Sequence, residues 1–264
     1  MSFLSLKNVS YAYSQGQPAV DDISLDFDLG EAVAIIGQNG AGKTTTVKMM
    51  DGLIRPQAGS VILDGKDTKE QSVAELSHIV GYVFQNPDDQ IFQNSVAKEI
   101  AFSLRKMKLP KDEIEKRVQQ AADICHLTDK LNTHPYDLPY SQRKFVTIAA
   151  IIAMEPKVLI FDEPTAGQDS KSIKLLEEVI KYLIDENKLV ITITHDMEFV
   201  VNNFKRVIVL ANAHKQRDAT PDEIFSDQEL LEKSKLEPPM IGQLATRLGY
   251  DHSLTINDLL EAMK

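Results

Sequence analysis

Cysteine is nearly absent from this chain of 264 residues, which contains Cys125 alone. A single cysteine cannot form a disulfide within the chain, and it cannot build a zinc site from several thiolates. Cys125 lies within the helical pattern VQQAADICHL, so we expect a buried thiol in the core rather than a reactive one. This cysteine usage is compatible with a reducing compartment.

Positive charge is also scarce, because 29 lysines and arginines stand against 39 acidic residues and the formal net charge is -10. A general nucleic-acid-binding protein more often carries a basic excess, so we expect no nucleic-acid partner. Long hydrophobic runs are missing as well. The longest predominantly apolar run, residues 145–154, is too short to span a bilayer, and we expect no secretory leader. A role at a membrane would therefore depend on partner chains.

Hydrophobic residues still make up 43% of the chain, which is enough for a substantial core. The N-terminal segments FLSLKNVSYAY and ISLDFDL alternate apolar and polar residues, as a half-buried antiparallel sheet would. The runs EAVAIIG, HIVGYVF, KVLIFDEP and KLVITITH read as buried strands, and helical patterns alternate with them. This alternation predicts a doubly wound α/β core. Residues 95–153 have helical spacing and indicate an inserted lobe, and only short helical segments follow Pro221.

The segment GQNGAGKTT, residues 37–45, matches the phosphate-binding pattern G-x-x-x-x-G-K-[ST]. A buried strand precedes it and a helix follows, so backbone N–H groups and the helix N-terminus would face a phosphate. We expect Lys43 to reach the β- and γ-phosphates and Thr44 to offer its hydroxyl to Mg²⁺. The alternative is a glycine-rich turn that binds nothing. The predicted nucleotide-binding residues of this phosphate loop are Gly37, Asn39, Gly40, Ala41, Gly42, Lys43, Thr44 and Thr45.

Two further motifs place polar residues at the carboxyl ends of buried strands, where open α/β sheets bind ligands. VLIFDE ends in Asp162 and Glu163. We expect Asp162 to hold Mg²⁺ and Glu163 to orient the attacking water or accept its proton. VITITHD ends at His195, whose imidazole can donate to a γ-phosphate oxygen. The alternatives are a pair of solvated acids in a turn and a structural histidine, and the nearby phosphate loop favours the functional interpretation.

In their order and spacing, GQNGAGKTT, VFQNPDDQ, VLIFDEPTAGQD and ITITHD resemble the ATP-binding subunits of ABC transporters, and the likeness covers nearly the whole chain. The resemblance implies an α/β P-loop NTPase core with a RecA-like sheet, an N-terminal antiparallel β subdomain and an inserted helical subdomain at about residues 90–153. It further implies an ABC domain over residues 1–220, a short C-terminal helical extension over 221–264, and the binding of ATP and Mg²⁺.

The same resemblance implies roles for single residues. Gln85 would be the Q-loop glutamine, which serves catalysis and contacts Mg²⁺. Asp169 would be the D-loop aspartate and His195 the switch histidine. Tyr13 would stack on adenine, although a strand tyrosine taken by itself is as readily a packing residue.

Within the family, FQNPDDQIFQNSVAKEIAF and the C-terminal tail are similar to the energy-coupling factor branch, whose ATPases drive uptake of vitamins or metal ions. This likeness implies a peripheral position on the cytoplasmic face of the cell membrane. The implied partners are a second ABC ATPase subunit, a transmembrane scaffold protein and a substrate-binding membrane protein. Asp88 and Asp89 would either form a solvated turn or receive arginines from the scaffold. Two alternatives stay open: a soluble ABC ATPase not tied to a transporter, and a non-catalytic nucleotide-binding regulatory subunit.

The chain departs from the family where LSGGQ is replaced by LPYSQ, residues 138–142. In the family this signature loop contacts the ATP bound by the partner subunit. Pro139 offers neither a hydroxyl nor an N–H there, while Ser141 and Gln142 remain candidate contacts. We expect a weakened site rather than an absent one. A paralogous partner is favoured over a second copy, because the other catalytic residues are complete.

Overall fold

The computed structural model describes residues 2–14, 16–250 and 253–264. Its strands are β1 (Leu4–Tyr11), β2 (Val20–Phe27), β3 (Ala32–Ile36), β4 (Ala58–Leu63), β5 (Lys66–Asp67), β6 (Val80–Val83), β7 (Val158–Asp162), β8 (Leu189–Ile193), β9 (Arg206–Ala211) and β10 (His214–Ala219). Its α-helices are α1 (Lys43–Met50), α2 (Val73–Ser77), α3 (Val96–Lys106), α4 (Lys111–Ile124), α5 (Tyr140–Ile152), α6 (Ser170–Asp185), α7 (Met197–Asn203), α8 (Pro221–Phe225), α9 (Gln228–Ser234), α10 (Met240–Leu248) and α11 (Ile256–Ala262).

The strands form two sheets. The antiparallel sheet has the order β2–β1–β4–β5 and contains both predicted N-terminal strands. The larger sheet has the order β10–β9–β3–β8–β7–β6, in which β9, β3, β8, β7 and β6 are parallel and β10 runs antiparallel at the edge. The predicted parallel α/β core is therefore present.

The larger sheet separates two hydrophobic cores, because successive side chains of a strand point to opposite faces. In β7, Leu159 and Phe161 join the core formed with α3 to α9, whereas Val158 and Ile160 join the core formed with α1 and the antiparallel sheet. All four side chains are completely buried. One face of the sheet is thus covered by helices, and the other by α1, α2 and the antiparallel sheet.

The short elements differ most from the sequence prediction. α2 and α7 were not predicted, although Ser72 and Glu75 form a capping box at α2 and Asp196 caps α7. The region after Pro221 does contain only short helices in its described part, and Pro239 stands at the N-cap of α10. Among the described residues, no helix has the length and apolarity required to cross a membrane.

Candidate nucleotide-binding site

Four neighbouring parallel strands bring the predicted site residues to one edge of the larger sheet. Ile193 at the end of β8 pairs with Ile35 of β3 on one side and with Asp162 of β7 on the other. The phosphate loop follows β3, His195 follows β8 and Gln85 follows β6. Because parallel strands end at the same edge, motifs that are far apart in sequence meet there.

A cleft of about 670 Å³ opens at this edge. It is lined by Tyr13, Ala19, Asn39, Gly40, Ala41, Gly42, Lys43, Thr44, Thr45, Gln85, Asp162, Glu163, Ile193 and His195. Gly37, the first residue of the loop, is not part of this lining, and its carbonyl accepts a hydrogen bond from Lys43. Three further predicted residues, Ser141, Gln142 and Asp169, are also not part of this lining.

Two glycines fix the path of the phosphate loop. Gly42 has φ 98° and Gly37 has φ 151°, both in a region that favours glycine. A Cβ atom would collide with the Ala19 carbonyl at Gly42 and with the Leu210 carbonyl at Gly37. Gly42 is also the N-cap of α1 and provides no side-chain cap, so the first N–H groups of this helix are left for a ligand.

Lys43 places its ammonium group inside the cleft. Its side chain is buried, and Nζ donates to the carbonyl oxygens of Gly37 at 2.7 Å and Gln38 at 3.1 Å. Burial lowers the pKa of Lys43, and the carboxylates at the end of β7 partly oppose that shift. These loop carbonyls hold the ammonium where phosphate oxygens could replace them as acceptors.

Glu163 adopts a left-handed backbone conformation with φ 45°, which is uncommon for a residue other than glycine. Its N–H donates to the carbonyl of Ile193 at 2.8 Å, which ties the end of β7 to the end of β8. Its carboxylate accepts a hydrogen bond of 3.1 Å from the backbone N–H of His195. Burial raises the pKa of Glu163, so its carboxylate is a stronger base than an exposed one.

The imidazole of His195 lies between an ammonium and a carboxylate. Its Nε2 is 3.2 Å from Lys43 Nζ and 3.2 Å from Glu163 Oε1. Burial lowers the pKa of His195, and the charge of Lys43 lowers it further, so the ring is neutral at pH 7. A neutral Nε2 either accepts from Lys43 or donates to Glu163, depending on the tautomer. Exchanging one hydrogen bond for the other therefore requires a change of tautomer.

Asp162 is oriented by Tyr82 of β6, which was not predicted as a site residue. The Tyr82 hydroxyl donates to Asp162 Oδ2 at 2.6 Å, and burial keeps this hydroxyl protonated by raising its pKa. Asp162, Thr44 and Gln85 line the same cleft and offer a carboxylate, a hydroxyl and an amide oxygen. Mg²⁺ prefers such oxygen donors and takes only one or two carboxylates beside substrate phosphates, so this donor set fits the ion.

Tyr13 lies at the rim of the cleft with 63% of its surface exposed. Its hydroxyl is 3.2 Å from Thr45 Oγ1, and its ring meets the Tyr11 ring edge-on at 5.0 Å. An exposed ring beside a cleft can stack on a flat ligand. The role of Tyr13 toward adenine stays a prediction.

The LPYSQ signature lies at the start of α5, and its residues are not part of the cleft lining. Pro139 is the N-cap and provides no side-chain cap, so the first N–H groups of α5 have no such partner. The Tyr140 ring packs against the D-loop of its own chain, since a Cβ on Gly167 would lie 2.9 Å from Tyr140 Cε1. Tyr140 therefore has an internal packing partner that glycine in LSGGQ could not have.

Asp88 also has a partner within the chain. Its Oδ1 accepts from Arg143 Nη1 at 2.7 Å, and the guanidinium stacks near the rings of Tyr136 and Tyr140. The sequence offered a solvated turn or a scaffold arginine as alternatives, and the structure adds an intrachain arginine. A scaffold arginine at Asp88 would have to share or displace Arg143.

Comparison with known proteins identifies the family. A family model described as ABC transporter matches residues 20–166. The chain belongs to the ABC transporter family. ATP-binding domains of this family are ATPases coupled to transport. The predicted resemblance to this family is thereby confirmed.

Two similar proteins carry more specific descriptions than the family model. The chain is 36% identical over 247 residues to the energy-coupling factor transporter ATP-binding protein EcfA of Methanothermobacter thermautotrophicus, covering 93% of this chain and 79% of that protein. The solved structure of cbiO1 from Clostridium perfringens, described as part of the ABC transporter complex cbiONQ, superposes with a TM-score of 0.81 at 33% identity. The match covers 93% of this chain and 99% of cbiO1, and it confirms the predicted fold.

Some relatives are longer than this chain. A Methanosarcina acetivorans relative is 39% identical over 264 residues, which span 98% of this chain but only 43% of that relative. The chain thus spans less than half the length of this curated relative.

Proposed function

We propose that this chain is the ATP-hydrolysing subunit of an energy-coupling factor type ABC importer, which powers uptake of a vitamin or a metal ion through partner membrane proteins. The observation that carries the proposal is the convergence of the phosphate loop, Gln85, Asp162, Glu163 and His195 in one cleft. The likeness to EcfA and cbiO1 supports the importer branch.

In this proposal, each group of residues in the cleft has a separate role in ATP hydrolysis. The N–H groups of the phosphate loop and Lys43 bind the β- and γ-phosphates. Glu163 orients the attacking water and takes its proton, and the raised pKa of Glu163 strengthens that base. Neutral His195 donates a hydrogen bond to a γ-phosphate oxygen. Asp162, Thr44 and Gln85 would hold Mg²⁺, which offsets phosphate charge when bound.

The proposed ATPase partner is supported by predicted nucleotide-binding residues that lie outside the cleft lining. Ser141, Gln142 and Asp169 do not line the cleft, and we infer that they contact the nucleotide of a second ABC ATPase subunit. We favour a paralogue as that subunit. A transmembrane scaffold and a substrate-binding membrane protein complete the proposed importer and place the chain at the cytoplasmic face of the membrane.

Purification tests this function against its two alternatives. A tagged chain expressed in its native cells should retain membrane proteins in mild detergent, and the reconstituted assembly should take up its solute only with ATP. An active ATPase without membrane partners would support the soluble alternative. An assembly whose uptake and ATP turnover are unaffected by Glu163→Gln would support the regulatory alternative.

The signature loop gives a separate prediction. Replacing Pro139 by Ser and residues Tyr140 and Ser141 by Gly restores LSGGQ, adds a hydroxyl and an N–H at the start of α5, and removes the Tyr140 packing on Gly167. One regained hydroxyl-to-phosphate bond is worth about 1.5–3 kcal/mol, so the steady-state ATPase rate of the purified chain should rise about tenfold or more.

The control for this change is Pro139→Ala, which returns the N–H without the hydroxyl and should give a smaller gain. If the restored signature changes the rate neither in the chain alone nor beside a partner subunit, LPYSQ is a fully working loop. The chain's ability to form an ATP-dependent dimer by itself decides between a second copy and a paralogue.

A further inference from the structure

Lys144 is a charged residue in the interior of the helical side. It lies in α5, next to the apolar run that follows the signature, and its side chain is 1% exposed. A buried ammonium is costly unless its N–H groups find acceptors. Lys144 Nζ donates to the main-chain carbonyl oxygens of Phe84 at 2.8 Å and Gln85 at 2.6 Å. The burial of this charge is therefore compensated by the segment that carries Gln85.

The other side of this segment is held by Gln90. Its side-chain oxygen accepts from the N–H of Phe84 at 3.1 Å, and its side-chain nitrogen donates to the carbonyl of Tyr82 at 3.3 Å. The main chain between β6 and Gln85 is thus fixed by two side chains. The Gln85 side chain itself is exposed and lines the nucleotide cleft. Lys144 thus binds the main chain of Gln85 without lining the cleft itself.

The same helix carries the signature loop. Lys144 follows Tyr140 by four residues, about 6 Å along a helix. Arg143 makes a second contact between α5 and the segment that follows Gln85, since its Nη1 lies 2.7 Å from Asp88 Oδ1. A displacement of the start of α5 must therefore reach the Gln85 segment over about one helical turn, through two charged side chains.

We propose that Lys144 is a positioning residue for Gln85, which links the signature helix to the nucleotide cleft of the same chain. This inference rests on the proposed role of Gln85 in ATP hydrolysis. The ammonium suits the task because it has three donors on a long stem and can satisfy two successive carbonyls at once. A residue without donors would leave both carbonyls unpaired and remove one of the two side chains that hold the segment.

Lys144→Met tests the proposal, because methionine fills similar space without N–H donors. The kcat for ATP should fall about tenfold to a hundredfold, as for other residues that orient a metal-contacting group. The affinity for a non-hydrolysable ATP analogue should change little, since Lys144 does not line the cleft. The matched control is Lys116→Met on α4, which removes an exposed lysine and should leave kcat unchanged.

A double-mutant cycle with Gln85→Ala separates positioning from a general structural effect. If Lys144 acts through Gln85, Lys144→Met should lower kcat by less than about twofold when Gln85 is already alanine, within the margin for independent effects. If Lys144→Met lowers kcat by the same factor in the wild-type protein and in the Gln85→Ala variant, the proposal is wrong. If Gln85→Ala alone leaves kcat unchanged, the proposed role of Gln85 is wrong, and the inference about Lys144 falls with it.

Folding is checked by the thermal midpoint of each variant. Should Lys144→Met fail to fold, Lys144→Gln replaces it, because glutamine keeps N–H donors without a buried charge. Its shorter side chain should bind one carbonyl at most, so an intermediate loss of kcat that again disappears beside Gln85→Ala supports the proposal. A loss that persists beside Gln85→Ala contradicts it.

Discussion

Glu163→Gln should leave ATP binding nearly intact and lower turnover by about 10²–10⁴-fold, the range expected when a general base is lost. Glutamine has the same shape and can still accept the hydrogen bond from the backbone N–H of His195. It cannot take a proton from water. The substitution therefore removes the chemistry while preserving the contact that orients the side chain.

Steady-state phosphate release measures the loss of turnover, and light scattering with ATP measures the assembly. Mixed with its partner ATPase subunit and ATP, the variant should accumulate a dimer that wild type forms only transiently, because hydrolysis no longer reopens the closed state. Glu178→Gln on α6 is the matched control, since Glu178 is exposed and outside the cleft. Wild-type turnover by Glu163→Gln would remove Glu163 from its proposed role.

The phosphate loop could be predicted because the residues that define it are neighbours in the sequence. The glycines, Lys43 and the start of α1 are contiguous, so composition and order were sufficient to predict a strand, a loop and a helix N-terminus. The strand ends carrying Asp162 and His195 were predicted for a related reason. In a parallel sheet all carboxyl ends share one edge, so the predicted strand type already places these residues together.

Tyr82 and Lys144 could not be predicted because their roles depend on contacts between distant segments. The Tyr82 hydroxyl reaches Asp162 only because β6 pairs with β7, and 80 residues separate the two. Lys144 is a charge beside an apolar run, which suggests burial but does not identify an acceptor. Its acceptors, the carbonyls of Phe84 and Gln85, carry no side-chain signal in the sequence.

The contacts of the LPYSQ signature could not be predicted either, because they also join segments that are distant in sequence. The sequence showed what LPYSQ lacks relative to LSGGQ, namely a hydroxyl and two glycines. It did not show that the Tyr140 ring packs on Gly167 or that Arg143 binds Asp88. The altered signature therefore has internal partners in addition to missing groups, and restoring LSGGQ changes both.

Lys43→Ala should nearly abolish ATP turnover. Removing a single preorganised donor from developing charge costs about 10²–10³-fold in kcat in comparable sites, and Lys43 is the one lysine among the residues lining the cleft. Nucleotide affinity should fall as well, because a hydrogen bond to a charged group contributes about 1.5–3 kcal/mol. Lys48→Ala, on the same helix but outside the cleft, is the control and should retain turnover.

A second measurement on Lys43→Ala tests the geometry without nucleotide. Lys43 Nζ lies 3.2 Å from His195 Nε2, and its charge contributes to the lowered pKa of that imidazole. Removing the charge should therefore raise the pKa of His195 in an NMR titration, while Lys48→Ala should not. An unchanged titration together with lost turnover would mean that Lys43 acts on the phosphates but not on His195. Near wild-type turnover would show that its ammonium does not act on the phosphates.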